Sequence, residues 1–337
     1  MNTTLTEGKI AGLRAVSNKR GVIAAAALDQ RGVLKRMLAK EMGNRVPSDS
    51  MVMEFKQLVA ASLTQFASSI LLDVEYGLPA MKCVNNKGVL LAYEKAGYDA
   101  TAPEFIPSVT EGWSVLRLKE AGATAVKALV YYTPYEKAWV NQQKQAWIER
   151  VGAECRALDM PMFLEFLGYP VHGEDPKGLA YAIRKPEIVI ASMEEFSKDR
   201  YAADVLKVEI PIQMQFVPRT QAYCGEQAYS QLEAQDYFRR AAAVSTKPFV
   251  YLSAGVTNAQ FVESLEFALA SGVQFNGVLC GRATWQDAVP VFVKQGAKAC
   301  VDWLNTQGAE NIQNVNRVLE AATPWYTMEP VATKNRS

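Results

Sequence analysis

The segment AVKALVYYTPYEKAWVNQQKQAWIERVGAECRALDMPMFLEFL, residues 125–167, shows the alternation from which the fold can be predicted. It begins with an apolar run that carries Lys127 and ends with a second apolar run that carries Glu165. Between them, residues 137–158 place apolar side chains at three- and four-residue steps. Continuous apolar runs are typical of strands buried on both faces, and the three-and-four spacing is typical of a helix. A strand, a helix and a strand in this order predict a parallel βαβ unit.

The same alternation runs along the rest of the chain. Six further apolar runs are predicted strands, namely GVIAAAAL, SSILL, GVLLAYE (88–94, the weakest), DVLKVEI, PFVYLSAG and FNGVLCG. Helical spacing recurs at 51–68, 112–121, 230–243, 258–270 and 286–304. Eight units average about 42 residues each, which predicts a single-domain (β/α)8 TIM barrel over 1–337, of class α/β. A short extension (about 1–20) would precede it and an irregular tail (about 323–337) would end it. A doubly wound open sheet is the alternative, but its usual G-x-G-x-x-G turn does not appear.

Composition excludes several classes of function. The chain carries 36 basic and 35 acidic residues, a formal net charge of +1, which argues against a nucleic-acid track or a membrane-facing basic patch. No apolar run approaches the roughly 20 residues of a membrane helix, and the run after Arg20 is too short and too late for a signal peptide. We therefore expect a cytoplasmic protein with neither nucleic-acid nor membrane partners. An odd cysteine count without C-x-x-C spacing predicts reduced, mostly buried thiols at Cys83, Cys155, Cys224, Cys280 and Cys300.

Ionisable residues in the predicted strands point to a buried site. The apolar alternate residues of DVLKVEI should face the helices, so Lys207 should face the barrel axis, and the same alternation turns Lys127 and Glu165 inward. Burial and a second lysine should lower a lysine pKa, which leaves a neutral amine able to attack a ketone. Glu165 is then a candidate proton shuttle, and Asp29, at the end of GVIAAAAL, a candidate base. The alternative is structural: Lys207 could form a buried ion pair with Glu209.

The last two predicted strands lead into a candidate anion site. Ser253 and Gly255 follow the seventh strand, and Gly281 and Arg282 follow the eighth. In this fold the corresponding loops commonly hold a phosphate, because small residues admit backbone N–H groups and arginine adds a charged fork. The alternative is a pair of ordinary tight turns before helices.

Metal chemistry is not expected from the residue types. Zinc enzymes generally use two or three histidines, and His172 is the only histidine in the sequence, in a loop-like segment expected at the surface. Asp73 and Glu75 could supply oxygen ligands to Mg²⁺. Hydrogen bonding at a strand end is the stronger interpretation of this pair.

Eight segments carry a resemblance to a known family. They are ALDQRGVLKRM, SSILLDVEYGLPA, LLAYEKAGYD, RLKEAGATAVKALVYY, FLEFL, DVLKVEIP, YLSAGV and FNGVLCGRATW, in order between about residues 20 and 320. Together they resemble the class I tagatose-1,6-bisphosphate aldolases of lactose and galactose utilisation.

The resemblance implies a site and a reaction. It implies a (β/α)8 barrel without a cofactor or metal, with a Schiff base on Lys207 and a proton relay through Glu165. Lys127 would be the second active-site lysine, and Asp29 the acid of the LDQR motif. The implied substrate contacts are Gln30, Arg31, Ser253, Gly255, Gly281 and Arg282. The implied reaction is reversible cleavage of a ketohexose 1,6-bisphosphate, most simply D-tagatose 1,6-bisphosphate, to glycerone phosphate and D-glyceraldehyde 3-phosphate.

Some alternatives stay open at the level of sequence. Segments 168–187 and 212–230 match the family less well and follow the fifth and sixth strands, so they could border the distal end of the substrate. An aldolase for 6-deoxy-6-sulfofructose 1-phosphate is therefore a second hypothesis. A non-catalytic sugar-phosphate sensor is a third, and a pyridoxal-phosphate enzyme a weaker fourth. A homo-oligomer is one option for assembly, with Trp303 or the 309–325 segment in the contact.

Overall fold

Eight parallel strands close into a barrel in the computed structural model, which describes residues 5–95, 104–171 and 173–327. Each strand pairs with the next in chain order, and the eighth pairs with the first. The strands are β1 (Ile23–Leu28), β2 (Ser69–Asp73), β3 (Gly88–Ala92), β4 (Ala125–Tyr131), β5 (Met162–Leu167), β6 (Val205–Val208), β7 (Phe249–Leu252) and β8 (Gly277–Cys280). The single closed barrel confirms the predicted fold, including the weakest strand, β3, and rules out the open sheet.

Helices alternate with the strands. Those of the described residues are α1 (Glu7–Val16), α2 (Gly32–Glu41), α3 (Asp49–Leu63), α4 (Leu78–Met81), α5 (Val115–Glu120), α6 (Ala138–Ala157), α7 (Leu179–Phe196), α8 (Gln231–Ala243), α9 (Asn258–Ala270), α10 (Arg282–Trp285), α11 (Ala288–Trp303) and α12 (Ala309–Val318). The predicted helical spans correspond to α3, α5, α6, α8, α9 and α11. The sequence supplies local start signals for two of them: Ser230 and Thr257 each form a capping box with the third residue of the helix.

Four longer helices, α1, α2, α7 and α12, lie outside the predicted spans. In α7, Pro186 interrupts the helical pattern, yet the residues around it pack on the barrel and keep the helix intact.

The helix α12 buries Ile312 and Val315 against the same chain, so its apolar face is already covered. The homo-oligomer stays a prediction.

The core has two layers that follow the period-two alternation of the strands. Odd-numbered β1 residues such as Ala25 and Ala27 face the axis and pack with Phe163 and Val250, whereas even-numbered residues pack under the helices. Leu13 of α1 and Trp325 join the inner layer and close the amino-terminal end of the barrel. The first residues of the predicted irregular tail are therefore ordered, and 328–337 lie outside the described residues.

The cysteines and the helix lengths bear on two predictions about the chain as a whole. All five cysteines are free; three are buried, Cys83 is partly buried and Cys224 is exposed. Among the described residues, no helix combines the length and the apolar character needed to cross a membrane.

Candidate active site

The predicted ionisable residues meet inside the carboxyl end of the barrel. Asp29 comes directly after β1, Lys127 lies on β4, Glu165 on β5 and Lys207 on β6. All four side chains are buried, with Lys127 only 1% exposed. They share the inner face with Ala27, two residues before Asp29, so the alternation that forms the core also turns these groups inward.

Lys207 contacts Glu165 and not Glu209. Its Nζ donates to Glu165 Oε2 over 2.9 Å, inside the barrel. Glu209 instead accepts from the backbone N–H of Gly168 at 2.8 Å and lies 3.5 Å from Lys185. The purely structural pairing of Lys207 with Glu209 is therefore wrong. The strand lysine faces a carboxylate with which it can exchange a proton.

Lys127 lies at the centre of three carboxylates. Its Nζ is 2.9 Å from Asp29 Oδ2, 2.7 Å from Glu94 Oε1 and 2.8 Å from Glu165 Oε2. Burial alone would lower the pKa of Lys127, but Asp29, Glu165 and Glu94 together raise it well above its usual range. The predicted lowering of a lysine pKa is therefore wrong for Lys127, because the prediction counted the second lysine and not the acids. The three carboxylates therefore favour the protonated form of Lys127.

Asp29 is ionised and has a free oxygen. Burial alone would raise the pKa of Asp29, but Lys127 and Lys207 lower it well below its usual range. Its Oδ2 accepts from Lys127, while Oδ1 is buried and has no hydrogen-bond partner in the described part of the chain. Buried acceptors are generally hydrogen-bonded, so this oxygen can accept from a ligand, and a substrate hydroxyl is a suitable donor.

Glu94 is a site residue that the sequence analysis missed. It follows β3, is 3% exposed, and accepts from Lys127 through Oε1 and from the backbone N–H of Leu129 through Oε2, at 2.7 and 3.1 Å. A signal was available in GVLLAYE: Ala92 faces the barrel axis, and period-two alternation turns Glu94 to the same side.

The predicted phosphate residues converge after β7 and β8. Gly255 has φ +83°, and a Cβ at this position would lie 2.4 Å from Arg282 Cζ, so the guanidinium lies directly over the glycine. Ser253, two residues before Gly255 in the same loop, is buried. Burial lowers the pKa of Arg282, while Asp29 and Glu165 oppose that shift, which places the guanidinium within electrostatic reach of both. Small residues under a guanidinium fork form a suitable phosphate cradle.

Gln30 and Gly281 extend this cradle towards β1. A Cβ on Gly281 would lie 2.9 Å from Ala27 O and 3.1 Å from Gln30 Nε2, so the glycine allows the two strand ends to approach closely. Gln30 Oε1 is buried without a hydrogen-bond partner among the described residues. Gln30 Oε1 is thus available to a ligand.

Arg31 is engaged by protein groups. Its Nη1 donates to Glu75 Oε1 at 2.9 Å, and its Nη2 donates to Glu94 O at 3.0 Å and lies 3.5 Å from Glu94 Oε1. This geometry joins the β1 and β3 loops. A direct contact of Arg31 with substrate stays a prediction.

The acidic pair after β2 has protein partners as well. Asp73 forms a fully buried ion pair with Lys56 and accepts from the backbone N–H groups of Glu75 and Tyr76. These contacts confirm the hydrogen-bonding interpretation of the Asp73 and Glu75 pair. His172 lies outside the described residues.

The two less familiar segments lie side by side at the rim of the site. Gln213 Nε2 donates to Pro176 O and Gln215 Nε2 donates to Lys177 O, both at 2.8 Å. The loops after β5 and β6 therefore border the same side of the barrel mouth.

Comparison with known proteins connects this site to a family. Residues 23–287 match the model described as DeoC/LacD family aldolase. The chain is 50% identical over 325 residues to a tagatose 1,6-diphosphate aldolase of Listeria monocytogenes serotype 4a, covering 96% of this chain and 95% of that protein. It is 48% identical over 323 residues to the protein of that name in Lactococcus lactis subsp. lactis, covering 95% of this chain and 98% of that protein.

Solved structures agree on the fold. Fructose-bisphosphate aldolase from Plasmodium falciparum superposes with a TM-score of 0.65 at 13% identity, covering 94% of this chain and 96% of that chain. A Schiff-base-forming fructose-1,6-bisphosphate aldolase gives 0.52 at 15% identity, covering 87% and 96%. At such low identity these neighbours support the barrel alone. The long matches at about half identity establish the family: the chain belongs to the DeoC/LacD family of aldolases.

Proposed function

We propose that this chain is a class I aldolase that reversibly cleaves D-tagatose 1,6-bisphosphate through a Schiff base on Lys207. The observation that carries the proposal is the 2.9 Å contact of the buried Lys207 Nζ with Glu165 inside the carboxyl end of the barrel. A primary amine next to a proton acceptor in a water-poor pocket is what imine formation requires. The names of the half-identical relatives support the choice of substrate.

Imine formation follows from the contact between Lys207 and Glu165. Lys207 gives a proton to Glu165, and the neutral nitrogen adds to the C2 carbonyl of the ketose. The former carbonyl oxygen then leaves as water, with protons returned by Glu165. Each such general acid–base step contributes about 10²–10⁴-fold. The protonated imine withdraws electrons from C3, so the step needs no metal ion as an electron sink.

Carbon–carbon cleavage follows from the position and charge of Asp29. In its ionised state Asp29 can accept the proton of the C4 hydroxyl, and the C3–C4 bond then breaks to release glyceraldehyde 3-phosphate. The electron pair of that bond forms an enamine on Lys207. Protonation at C3 and hydrolysis of the imine then release glycerone phosphate. The cation Lys127, in contact with both Asp29 and Glu165, stabilises the carboxylates throughout the cycle.

The 1-phosphate is assigned to the cradle of Ser253, Gly255, Gly281 and Arg282. Its charge would be matched by the Arg282 guanidinium, and the glycines would let backbone N–H groups reach its oxygens. Gln30, with a buried oxygen free to accept, is assigned to a substrate hydroxyl. A cytoplasmic location and a sugar-phosphate substrate belong to the same proposal.

Borohydride trapping tests the chemistry. The protein is incubated with glycerone phosphate and EDTA, reduced with borohydride and mapped by peptide mass spectrometry, with Lys207→Ala as the control. A stable adduct on Lys207, absent from the variant, is expected. An adduct on Lys127 would reverse the roles of the two lysines. Ligand binding without any adduct would favour the sugar-phosphate sensor.

The distal group is tested by comparing substrates. D-tagatose 1,6-bisphosphate should give the higher kcat/KM, because the relatives carry the name of that substrate over nearly their full length. A higher kcat/KM for 6-deoxy-6-sulfofructose 1-phosphate would instead assign the loops at the rim to sulfonate recognition.

A further inference from the structure

Two buried lysines lie close to the same carboxylate, and only one of them can serve as the nucleophile. Lys127 and Lys207 both contact Glu165 Oε2, at 2.8 and 2.9 Å. Both are nearly inaccessible to solvent. Burial therefore does not distinguish them, and the difference must come from their other neighbours.

The carboxylates are distributed unequally between the two lysines. Among the described residues, the ion-pair partner of Lys207 is Glu165, whereas Lys127 contacts Asp29 and Glu94 as well. An ammonium has three N–H donors and no lone pair, so three carboxylates match it in number. Asp29 and Glu165 both have roles in the proposed chemistry. Glu94 is the additional acid: it contacts Lys127 at 2.7 Å, with Arg31 Nη2 at 3.5 Å, and it forms no ion pair with Lys207.

Hydrogen bonds hold both the backbone and the side chain of Glu94, so Glu94 can fix the position of Lys127. Its carbonyl accepts from Arg31 Nη2 and from Thr110 Oγ1, both at 3.0 Å, so its backbone is fixed from two sides. Its carboxylate is fixed at the other oxygen by the N–H of Leu129, two residues after Lys127 on β4. The acid and the lysine are thus tied to the same strand.

We propose that Glu94 is a positioning residue that keeps Lys127 protonated between Asp29 and Glu165 and thereby reserves imine formation for Lys207. This inference rests on the proposed function. Glu94 acts through Lys127 and does not touch the reacting carbon. Removing its charge should leave Lys127 with two carboxylates, both of which change their hydrogen bonding during the cycle. Lys127 could then lose its proton and add to the ketone in the same way, with water as the leaving group.

The test compares Glu94→Gln with Glu75→Gln. Both substitutions remove one negative charge next to Arg31, but Glu75 contacts Arg31 Nη1 and not Lys127. An opposite charge in direct contact shifts a pKa by about 1–3 units. The alkaline limb of the kcat–pH profile should therefore move down by about 1–3 pH units in Glu94→Gln. It should stay in place in Glu75→Gln.

Trapping provides a second readout that a purely structural role would not change. With glycerone phosphate and borohydride at about pH 9, wild type should carry the adduct on Lys207 alone, and Glu94→Gln should carry it on Lys127 as well. A folded Glu94→Gln variant with the wild-type alkaline limb and an adduct confined to Lys207 would overturn the inference. Wild type with no adduct at all would refute the proposed function itself.

A conservative variant keeps the test decisive if Glu94→Gln does not fold. Glu94→Asp keeps the negative charge, but its side chain is shorter by one methylene, so the carboxylate lies farther from Lys127. Its kcat should fall about tenfold or more, because a misplacement of about 1 Å can cost about 10²-fold. Its alkaline limb should move by less than about one pH unit, because the negative charge is kept. Wild-type kcat in Glu94→Asp would show that the reach of Glu94 to Lys127 has no role, and it would contradict the proposal.

Discussion

Replacing Lys127 with methionine removes the cation that three buried carboxylates share. Methionine keeps an unbranched side chain of similar length, so the main loss is the charge. Removing one partner of a buried ion pair costs about 3–5 kcal/mol, because it leaves uncompensated buried charge. Unfolding entropy near 60 °C is about 2.1 cal/mol/K per residue, or about 0.7 kcal/mol/K for 337 residues. The expected fall in Tm at pH 7 is therefore about 4–7 °C.

The pH dependence of this loss has a definite sign. The folded-state pKa of Lys127 is raised, so its stabilisation is fully present below the unfolded pKa and is lost as the pH rises through the folded value. The folded-state pKa of Asp29 is lowered, so its stabilisation is present above the unfolded pKa and is lost as the pH falls through the folded value. In Lys127→Met, Asp29 loses the nearest cation that lowers its pKa, and its burial then favours uptake of a proton in mildly acidic solution. The difference in Tm between wild type and variant should consequently narrow between about pH 7 and pH 4.

Thermal unfolding followed by circular dichroism at pH 7 and pH 4 measures both effects. Lys294→Met is the matched control, because Lys294 forms a solvent-exposed ion pair with Glu41. Such a surface change is expected to stay within about 0.5 kcal/mol, less than about 1 °C here. A Lys127→Met variant with wild-type Tm at pH 7, or with the same deficit at both pH values, would refute the reasoning.

Three further predictions concern the anion cradle, the base and the buried pair under β2. Gly255→Ala would place a Cβ 2.4 Å from Arg282 Cζ at a positive φ. Steady-state kinetics should therefore show a KM about tenfold higher or more, which corresponds to a loss of about 1.4 kcal/mol of binding free energy. An unchanged KM would show that Gly255 is not part of the cradle. Asp29→Asn should lower kcat by about 10²–10⁴-fold. Because the pKa of Asp29 is lowered, protonation of Asp29 should not reduce wild-type activity down to about pH 5. A loss of activity near pH 5 in wild type that is absent from Asp29→Asn would contradict this prediction. Lys56→Met leaves Asp73 buried without its ion-pair partner and should cost about 3–5 kcal/mol in urea unfolding. Lys56→Met with Asp73→Asn should restore most of this, because the asparagine amide is uncharged and its oxygen can still accept from the backbone N–H groups of Glu75 and Tyr76. Equal stability of the single and double variants would argue against an unpaired charge as the cause.

Local pattern was sufficient for the strands and for the direction of their side chains. A strand buried on both faces is apolar along its length, and its alternate residues face opposite sides, so one ionisable residue in such a run can be assigned to a side. Lys207 and Glu165 were placed correctly in this way. The helix α7 was not predicted, because its stability comes from packing on the barrel in spite of Pro186.

The residue pattern along the chain was enough to predict the barrel, the inward direction of Lys127, Glu165 and Lys207, and the loops that form the candidate anion site. The contacts between charged groups could be identified in the folded chain alone. Pairing of β3 with β4 brings Glu94, from 33 residues earlier in the chain, to Lys127. The sign of a buried lysine's pKa shift depends on the balance between desolvation and all charges within a few ångströms. These distances join strands that are far apart in sequence. The residue pattern of a single strand therefore cannot predict the sign of the pKa shift.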